Sequence, residues 1–164
     1  MCKLKVFLLL IGLVFLGACR VSLSGAQVGE AQTLSVAMFA NNASLVQPTL
    51  SQALTEDIRN YFQTQSPLRL VSTNGDMHLE GAIKDYRVTP VAVSNTGASS
   101  NRLTITVFVR FSNKKDPTKD FETEFSRFAD FSATQNLVSV EQDLISQINQ
   151  QLAQDIFNKA VINW

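Results

Sequence analysis

Alternation of apolar and polar residues predicts a sheet-rich centre for this chain. The clearest case is residues 102–111, where odd-numbered positions are apolar and Thr104, Thr106 and Arg110 are among the even ones. A period of two is typical of a half-buried β-strand. The same alternation recurs at residues 33–40, 68–72, 77–86 and 120–131. We therefore predict about four to five strands, with a turn at Asn74-Gly75-Asp76 and a charged hairpin tip at 113–117.

Three details of these strands give sharper expectations. Leu34, Val36 and Met38 should share the buried face of the first strand. Pro90, which cannot donate to a ladder, favours an edge or a bend at residues 88–93. Phe128 is out of step with Phe125, which predicts a bulge or a change of face. Residues 95–101 form a loop of small residues that we expect to be mobile.

Two segments have helical spacing instead. In the first, apolar residues recur at Leu50, Leu54, Ile58 and Phe62, with Thr49 as the expected cap and Arg59 among the outward-facing residues. In the second, apolar residues recur from Leu144 to Val161, with a start expected near Ser139. The order of elements predicts an α+β fold. We expect a mainly antiparallel or mixed sheet of about four to five strands, with two helices packed on one face.

The amino-terminal segment has the composition of a signal peptide. Lys3 and Lys5 precede an apolar run over residues 6–15, and the run ends in Leu16-Gly17-Ala18-Cys19. That tetrad resembles the lipobox of bacterial lipoproteins, in which the cysteine is acylated and becomes the amino terminus. An ordinary secretory signal or a short membrane anchor are the alternatives, but the run is shorter than the roughly 20 residues that span a bilayer. We predict a signal peptide at 1–18, a flexible tether at 19–32 and one domain at 33–164.

Composition narrows the possible partners of the mature chain. The full sequence has 14 basic and 14 acidic residues, and removing Lys3 and Lys5 leaves 12 against 14, a net charge of −2. The chain has no polybasic block, so it does not look like a nucleic-acid-binding protein. Cys2 leaves with the signal peptide and Cys19 would carry lipid, so no thiol remains for a disulfide, a metal or a nucleophile.

Residues that could carry chemistry are few. Asp76, His78 and Glu80 alternate along one strand and could bind a metal, but flanking carboxylates on a strand are a common accident. Glu122 and Glu124 could serve a glycosidase, although a solvated strand face explains them better. The phenylalanines of residues 121–131 could bind an acyl chain or a sugar, or could simply pack in the core. We therefore predict no enzyme, no cofactor and no metal site.

Seven strings of the sequence resemble one protein family. They are FANNASLVQPTLSQ at 39–52, NGD at 74–76, LEG at 79–81, TPVA at 89–92, NRLTITV at 101–107, FSRFADF at 125–131 and DIFNKAVINW at 155–164. Together they resemble the LptE-type lipopolysaccharide-assembly lipoproteins, in the form found in Bacteroidota. The resemblance covers nearly all of the mature chain.

The resemblance implies a role that the residues alone do not indicate. It implies a lipoprotein of the outer membrane, held by the acyl chains on Cys19, that lies in the lumen of an LptD-type β-barrel, plugs it and assists its assembly. Arg20 stands where Asp would favour the inner membrane, which agrees with this location. The family also implies contact with lipopolysaccharide. A generic lipoprotein that binds a small ligand or a peptide, with no role in transport, is the alternative.

Lipopolysaccharide carries phosphates, so direct contact would require basic side chains near exposed loops. We expect Lys114 and Lys115 at the hairpin tip to be the first candidates and Arg102, beside the loop of small residues, to be the second. The alternative is that all three are merely solvated.

Overall fold

The computed structural model describes residues 28–45, 47–91 and 99–162. The strands are β1 (Thr33–Val36), β2 (Ala40–Asn41), β3 (Arg69–Val71), β4 (Met77–Val91), β5 (Ser100–Asn113) and β6 (Phe121–Ser132). The helices are α1 (Leu50–Gln65) and α2 (Leu137–Val161), with a short 3₁₀ helix at Pro117–Lys119. Within these ranges, neither helix is both long and apolar enough to span a bilayer. Cys19 and most of the small-residue loop at 95–101 lie outside the described residues.

The strands form one mixed sheet in the order β3-β1-β4-β5-β6. β1 runs parallel to both β3 and β4, and the short β2 also pairs in parallel with β4. The long strands β4, β5 and β6 are antiparallel neighbours. The α+β class and the mixed sheet are confirmed. The six strands of the described residues exceed the predicted four to five because β2, only two residues long, follows a break in the first strand.

A β-bulge in β4 changes which residues face the core. The register against β5 shifts between Ile83 and Asp85, so Lys84 has no partner. Simple alternation would place Tyr86 on the side opposite Ile83, yet both are buried. One extra residue in a strand reverses the phase of every side chain beyond it. Beyond Ile83, the side of β4 away from β5 pairs with no described strand, so Pro90 lies at an edge, as predicted.

Phe128 lies on the opposite face from Phe125 without any bulge in β6. The β5–β6 pairing is continuous from Ser100 to Phe111, and the side chain of Phe128 is 47% exposed. The predicted change of face is therefore simple strand alternation, while Phe121, Phe125 and Phe131 pack with the core. Met38 is also corrected. It is 57% exposed and Phe39 is buried in its place, because β1 ends at Val36.

Both helices cover the same face of the sheet, as predicted. Phe157 of α2 packs edge to face against Phe62 and Tyr61 of α1, with ring centroids 5.1 and 5.3 Å apart. These side chains join the inward residues of β4 and β5 in one core. Arg127 of β6 ties the sheet to α2 through two hydrogen bonds to Asp155, at 2.5 and 2.7 Å.

The helix starts differ from the expected capping boxes. Thr49 precedes α1 but makes no side-chain cap hydrogen bond, because its own backbone is helical. α2 begins at Leu137, two residues before the predicted Ser139, and Asn136 caps it by accepting from the Val138 amide at 3.1 Å. Asparagine is as good a cap as serine.

Candidate functional site

The face of the sheet opposite the helices is covered by no described element. β4, β5 and β6 present alternate residues there, among them Glu80, Phe108, Thr106, Ser126 and Phe128. Thr106 and Ser126 lie directly opposite each other and their hydroxyls are 2.9 Å apart. We call this surface the open face.

Several charges on the open face are paired with one another. Arg110 lies between Glu80 and Glu122 on the adjacent strands and donates to them at 3.0 and 2.6 Å. The hydrogen bond that Arg110 donates to Glu122 and the charge of Glu122, followed by the corresponding contributions of Glu80, raise the pKa of the Arg110 guanidinium. Each such exposed pair contributes little to folding. The cluster is polar and holds two carboxylates around one guanidinium.

Arg102 is bound to neighbouring residues on the same face. It donates to both carboxylate oxygens of Asp130, at 2.7 and 2.9 Å, and its guanidinium carbon lies 3.6 Å from the ring centroid of Phe128. The hydrogen bond from Arg102 lowers the pKa of Asp130. A bidentate pair that also stacks on a ring is well ordered. Arg102 would have to leave this arrangement to bind another anion.

Lys114 and Lys115 lie together at one end of the sheet but have different partners. The ammonium of Lys114 donates to the Asn74 carbonyl at 3.4 Å, whereas that of Lys115 lies 3.8 Å from the Asp76 carboxylate. Asp76 also accepts from the amides of Gln32 and Thr33, which lower its pKa. Of the two lysines, only Lys114 reaches the cavity described next.

An open cavity of about 570 Å³ lies where β1, α1, β4 and β5 meet. Its basic lining residues are Arg59, His78 and Lys114, and apolar Met38 forms part of another wall. The sequence placed Arg59 on the solvent side of α1. In the structure it is partly buried and donates to the Val36 carbonyl at 2.6 Å. Periodicity could not reveal this contact, because it depends on where β1 ends.

His78 is held by a buried serine at the base of this cavity. Its Nδ1 lies 2.8 Å from Ser35 Oγ, and its Nε2 lies 3.7 Å from Glu80 Oε2. These are the residue types of a hydrolase triad, but the ring nitrogens are exchanged, because a triad serine bonds Nε2 and the triad carboxylate bonds Nδ1. Ser35 is also only 1% exposed, and its hydroxyl bonds the Gly75 amide and the Met77 carbonyl. A nucleophile must reach its substrate, so this serine has a structural role.

The predicted alignment of Asp76 with His78 and Glu80 is not formed. Asp76 precedes β4 and is turned toward Gln32 and Thr33. Across the part of the chain that the structure describes, no three His, Cys, Asp or Glu side chains come together as a metal site would require. Glu122 is bound to Arg110, which favours its interpretation as part of a solvated face.

Comparison with solved structures supports the fold. The chain is similar to the minor lipoprotein of Acinetobacter baumannii at 15% identity and TM-score 0.51, over 79% of this chain and 91% of that one. It is similar to an uncharacterized lipoprotein B of Nitrosomonas europaea at 13% identity and TM-score 0.53, over 86% and 88%. It is similar to the rare lipoprotein B of Shewanella oneidensis at 13% identity and TM-score 0.51, over 77% of this chain and 92% of that one.

Sequence comparison supplies the family. A search of curated proteins finds no relative of this chain. The sequence profile of the LptE lipopolysaccharide-assembly family, by contrast, matches residues 31–160, which span all the strands and nearly all of α2. The resemblance noted in the sequence is thereby confirmed, and this chain belongs to the LptE family of lipopolysaccharide-assembly proteins.

Proposed function

We propose that this protein is an outer-membrane lipoprotein that partners an LptD-type β-barrel in lipopolysaccharide transport, plugging the barrel and assisting its assembly. The family match over residues 31–160 carries the proposal, because the fold alone would not identify a partner. Acyl chains on Cys19 would hold the protein at the membrane. Two or more chains anchor stably, whereas one binds only marginally.

The open face supports docking within a barrel lumen. Lumens of transmembrane barrels are lined by polar side chains. The open face offers hydroxyls at Thr106 and Ser126 and an ion-paired cluster in which Arg110 donates to both Glu80 and Glu122. Paired charges lose less on leaving water than an unpaired charge would. We therefore assign this face to the barrel contact.

The partnership is tested by isolating the tagged full-length protein from membranes in a neutral detergent and identifying what accompanies it. A large β-barrel protein should co-purify in near-equal amount. Depletion of the lipoprotein should lower the level of folded barrel and raise sensitivity to bulky hydrophobic antibiotics. Normal barrel levels and an intact permeability barrier after depletion would overturn the assignment.

The anchor is tested separately with Cys19→Ala. Cells grown with a radioactive fatty acid should label the unaltered protein and not the variant, because the variant lacks the thiol that is acylated. Label that persists on the variant would show that Cys19 is not the lipidated residue. The barrel could still bind a non-acylated protein, so this result bears on the anchor alone.

A further inference from the structure

We propose that the outer edge of β6 binds an extended segment of another protein as an added strand, and that this segment alternates basic and apolar residues. β6 is the last strand in the sheet order and, among the described strands, pairs only with β5. An edge strand presents unpaired N–H and C=O groups that can pair with another chain. In recognition by strand addition, main-chain hydrogen bonds give affinity and alternate side chains give specificity. This inference goes beyond the proposed function and does not require the barrel partnership, because it concerns the edge of the sheet and not its open face.

The first support is the direction of the backbone groups of β6. The amide of Ala133, directly after β6, donates to the Ser99 carbonyl at 3.1 Å and continues the β5–β6 register. Residues of an antiparallel pair alternate between those that bond the partner strand and those that point away from it. Odd-numbered residues of β6 therefore bond β5, and even-numbered residues point their amides and carbonyls outward. Ser132 agrees with this, because its amide donates to Gln135 Oε1 at 3.1 Å.

Five successive outward residues are available for pairing. Their backbone amides and carbonyls have no hydrogen-bond partner among the described residues, and all five residues are exposed: Glu122, Glu124, Ser126, Phe128 and Asp130. At about 3.4 Å per residue they extend over roughly 27 Å, so an added strand of about nine residues would pair with all of them.

The second support is that the other edges of the described sheet carry features that oppose pairing. β3, at the opposite end of the strand order, is only three residues long. The free side of β4 follows the bulge at Lys84 and contains Pro90. Short strands, bulges and prolines are the means by which proteins protect free edges. β6, by contrast, has twelve residues, no proline and a continuous register against β5.

The carboxylates of β6 indicate a basic partner. Glu122 and Asp130 each pair with an arginine of β5, whereas Glu124 lies opposite Phe108 and forms no ion pair within the described residues. All three carboxylates belong to outward residues, so their side chains would neighbour those of an added strand. Opposite charges on directly paired residues stabilise a sheet. Lysine or arginine is therefore favoured at alternate positions of the partner.

The same carboxylates disfavour a second copy of β6 as the partner. Because the outward residues are even-numbered, two antiparallel copies would pair even with even. Of the two registers with the longest overlap, one places Glu122 opposite Asp130 and the other places Glu124 opposite Asp130. Like charges directly opposite each other destabilise a pair of strands. The edge is thus better suited to a basic strand than to its own copy.

The helix-covered side of the edge indicates the apolar positions of the partner. Phe121 and Phe125 are only partly buried there, with ring centroids 6.4 Å apart, and both pack against the core. Arg127, on the same side, is bound to Asp155. Successive residues of an added strand point to opposite faces, so every second residue would lie beside these rings. Apolar residues at those positions would cover the exposed parts of both rings and extend the core.

Binding is tested with synthetic peptides on the full-length protein in a neutral detergent. The peptides, of about nine residues, alternate lysine with valine, alternate glutamate with valine, or hold the lysines and valines of the first peptide in two separate blocks. We expect the alternating lysine peptide to bind at least about tenfold more tightly than either of the others. Equal binding of the alternating and the block peptide, or no binding of either, would overturn the proposal.

Amide hydrogen exchange, followed by NMR, locates the bound peptide. The alternating lysine peptide should slow exchange at the even-numbered amides from Glu122 to Asp130 and leave the odd-numbered amides, which already bond β5, unchanged. Unchanged exchange at the even-numbered amides under saturation would place the peptide elsewhere and overturn the site. Slow exchange at these amides without peptide, together with a dimer in sedimentation, would show that a second copy occupies the edge and would overturn the proposed partner.

Variants of Glu124 separate the contributions of charge and backbone. Glu124→Gln keeps the outward amide and should weaken the alternating lysine peptide about threefold, and Glu124→Lys should shift the preference toward the glutamate peptide. Glu124→Pro removes the outward donor, which an edge strand tolerates, and should bind at least about tenfold more weakly than Glu124→Gln. Asp143→Asn, which removes an exposed carboxylate of α2, is the control and should change binding less than about twofold.

Equal losses in Glu124→Gln and Asp143→Asn would show general attraction to an acidic protein and overturn the assigned edge. Equal binding by Glu124→Pro and Glu124→Gln would overturn strand addition. Each variant is first checked for an unchanged melting temperature. Glu124→Lys, on an exposed side chain, keeps the test valid if Glu124→Pro fails to fold.

Discussion

The two faces of the sheet are made from alternate residues of the same strands, yet they are stabilised in different ways. In β5, Val107 and Val109 are fully buried beneath the helices, while Thr106 and Arg110 on either side of them face away. Burial of apolar area dominates folding energetics, whereas exposed ion pairs contribute little. The helix-covered face therefore holds the fold together. The open face contributes little to stability, which leaves it available for the barrel contact proposed above.

The basic side chains of the open face and of the cavity also differ, in the groups to which they are bound. On the open face, Arg102 and Arg110 are bound to carboxylates of neighbouring strands. In the cavity, Arg59 and Lys114 donate to backbone carbonyls. Substitution of the open-face arginines would therefore remove contacts to carboxylates, whereas substitution of Arg59 or Lys114 would remove contacts to the backbone.

The largest effect is expected from placing a charge in the covered face. Ile148 of α2 is fully buried, so Ile148→Asp should lower the free energy of unfolding by roughly 3–5 kcal/mol or prevent folding, since the carboxylate would have no partner. Denaturant unfolding of the purified protein measures this loss. Gln150→Asp, on the exposed side of the same helix, is the control and should change stability by less than about 1 kcal/mol. Equal stability of the two variants would refute the assignment of this face as core.

A smaller effect is expected where β4 passes close to other chain segments. A Cβ on Gly81 would lie 2.3 Å from the Phe108 carbonyl oxygen and 2.5 Å from a ring carbon of Phe39. Gly81→Ala should destabilise by about 1–3 kcal/mol, because backbone and ring would both have to move. Thermal unfolding measures it, with Ala82→Ser on the open face as the control. A melting temperature equal to that of the unaltered protein would show that the Phe108 backbone and the Phe39 ring move aside at little cost in stability.

Acid should weaken the hydrogen bonds that join Asp76 to the start of β1. The amide of Gln32 and the hydroxyl and amide of Thr33 donate to Asp76 and lower its pKa. A carboxyl whose pKa is lowered by folding adds stability above its unfolded pKa, about 3.9, and loses it as pH falls through the folded value. Asp76→Asn should therefore be less stable than the unaltered protein at pH 6, with the gap closing below pH 4. Asp143→Asn, an exposed carboxyl of α2, is the control. A gap that stays constant with pH would contradict this role.

Periodicity predicted the covered face well. Burial in a helix or strand follows the repeat of 3.6 or 2, so Leu50, Leu54, Ile58 and the alternate residues of β5 are all buried as expected. Errors arose where the repeat is interrupted. Lys84 inserts a bulge that moves Tyr86 inward, and the early end of β1 exposes Met38. Neither interruption can be predicted from the amino-acid composition of its segment.

The candidate site was less predictable, because its residues are brought together only by tertiary structure. Lys114 could be named from the hairpin tip, but nothing in the sequence separates it from Lys115, which differs in having the Asp76 carboxylate nearby. Helical periodicity predicts that Arg59 faces outward, away from the apolar stripe of α1. Its contact with Val36 links residues 23 positions apart. Long-range proximity of this kind is absent from local patterns.

The smallest effect on stability is expected from a substitution on the open face. The same substitution also tests most directly whether this face serves the barrel contact and not the fold. Arg110→Gln removes the charge between Glu80 and Glu122. All three side chains are about half exposed, so the free energy of unfolding should change little. Barrel co-purification should fall far more, because two carboxylates would then enter a polar contact unpaired. Lys84→Gln, at the β4 bulge, is the matched loss of one exposed charge and should leave co-purification unchanged. If Arg110→Gln unfolded the protein, the open face would be part of what stabilises the fold. If it changed neither stability nor co-purification, the barrel contact would have to lie elsewhere on the molecule.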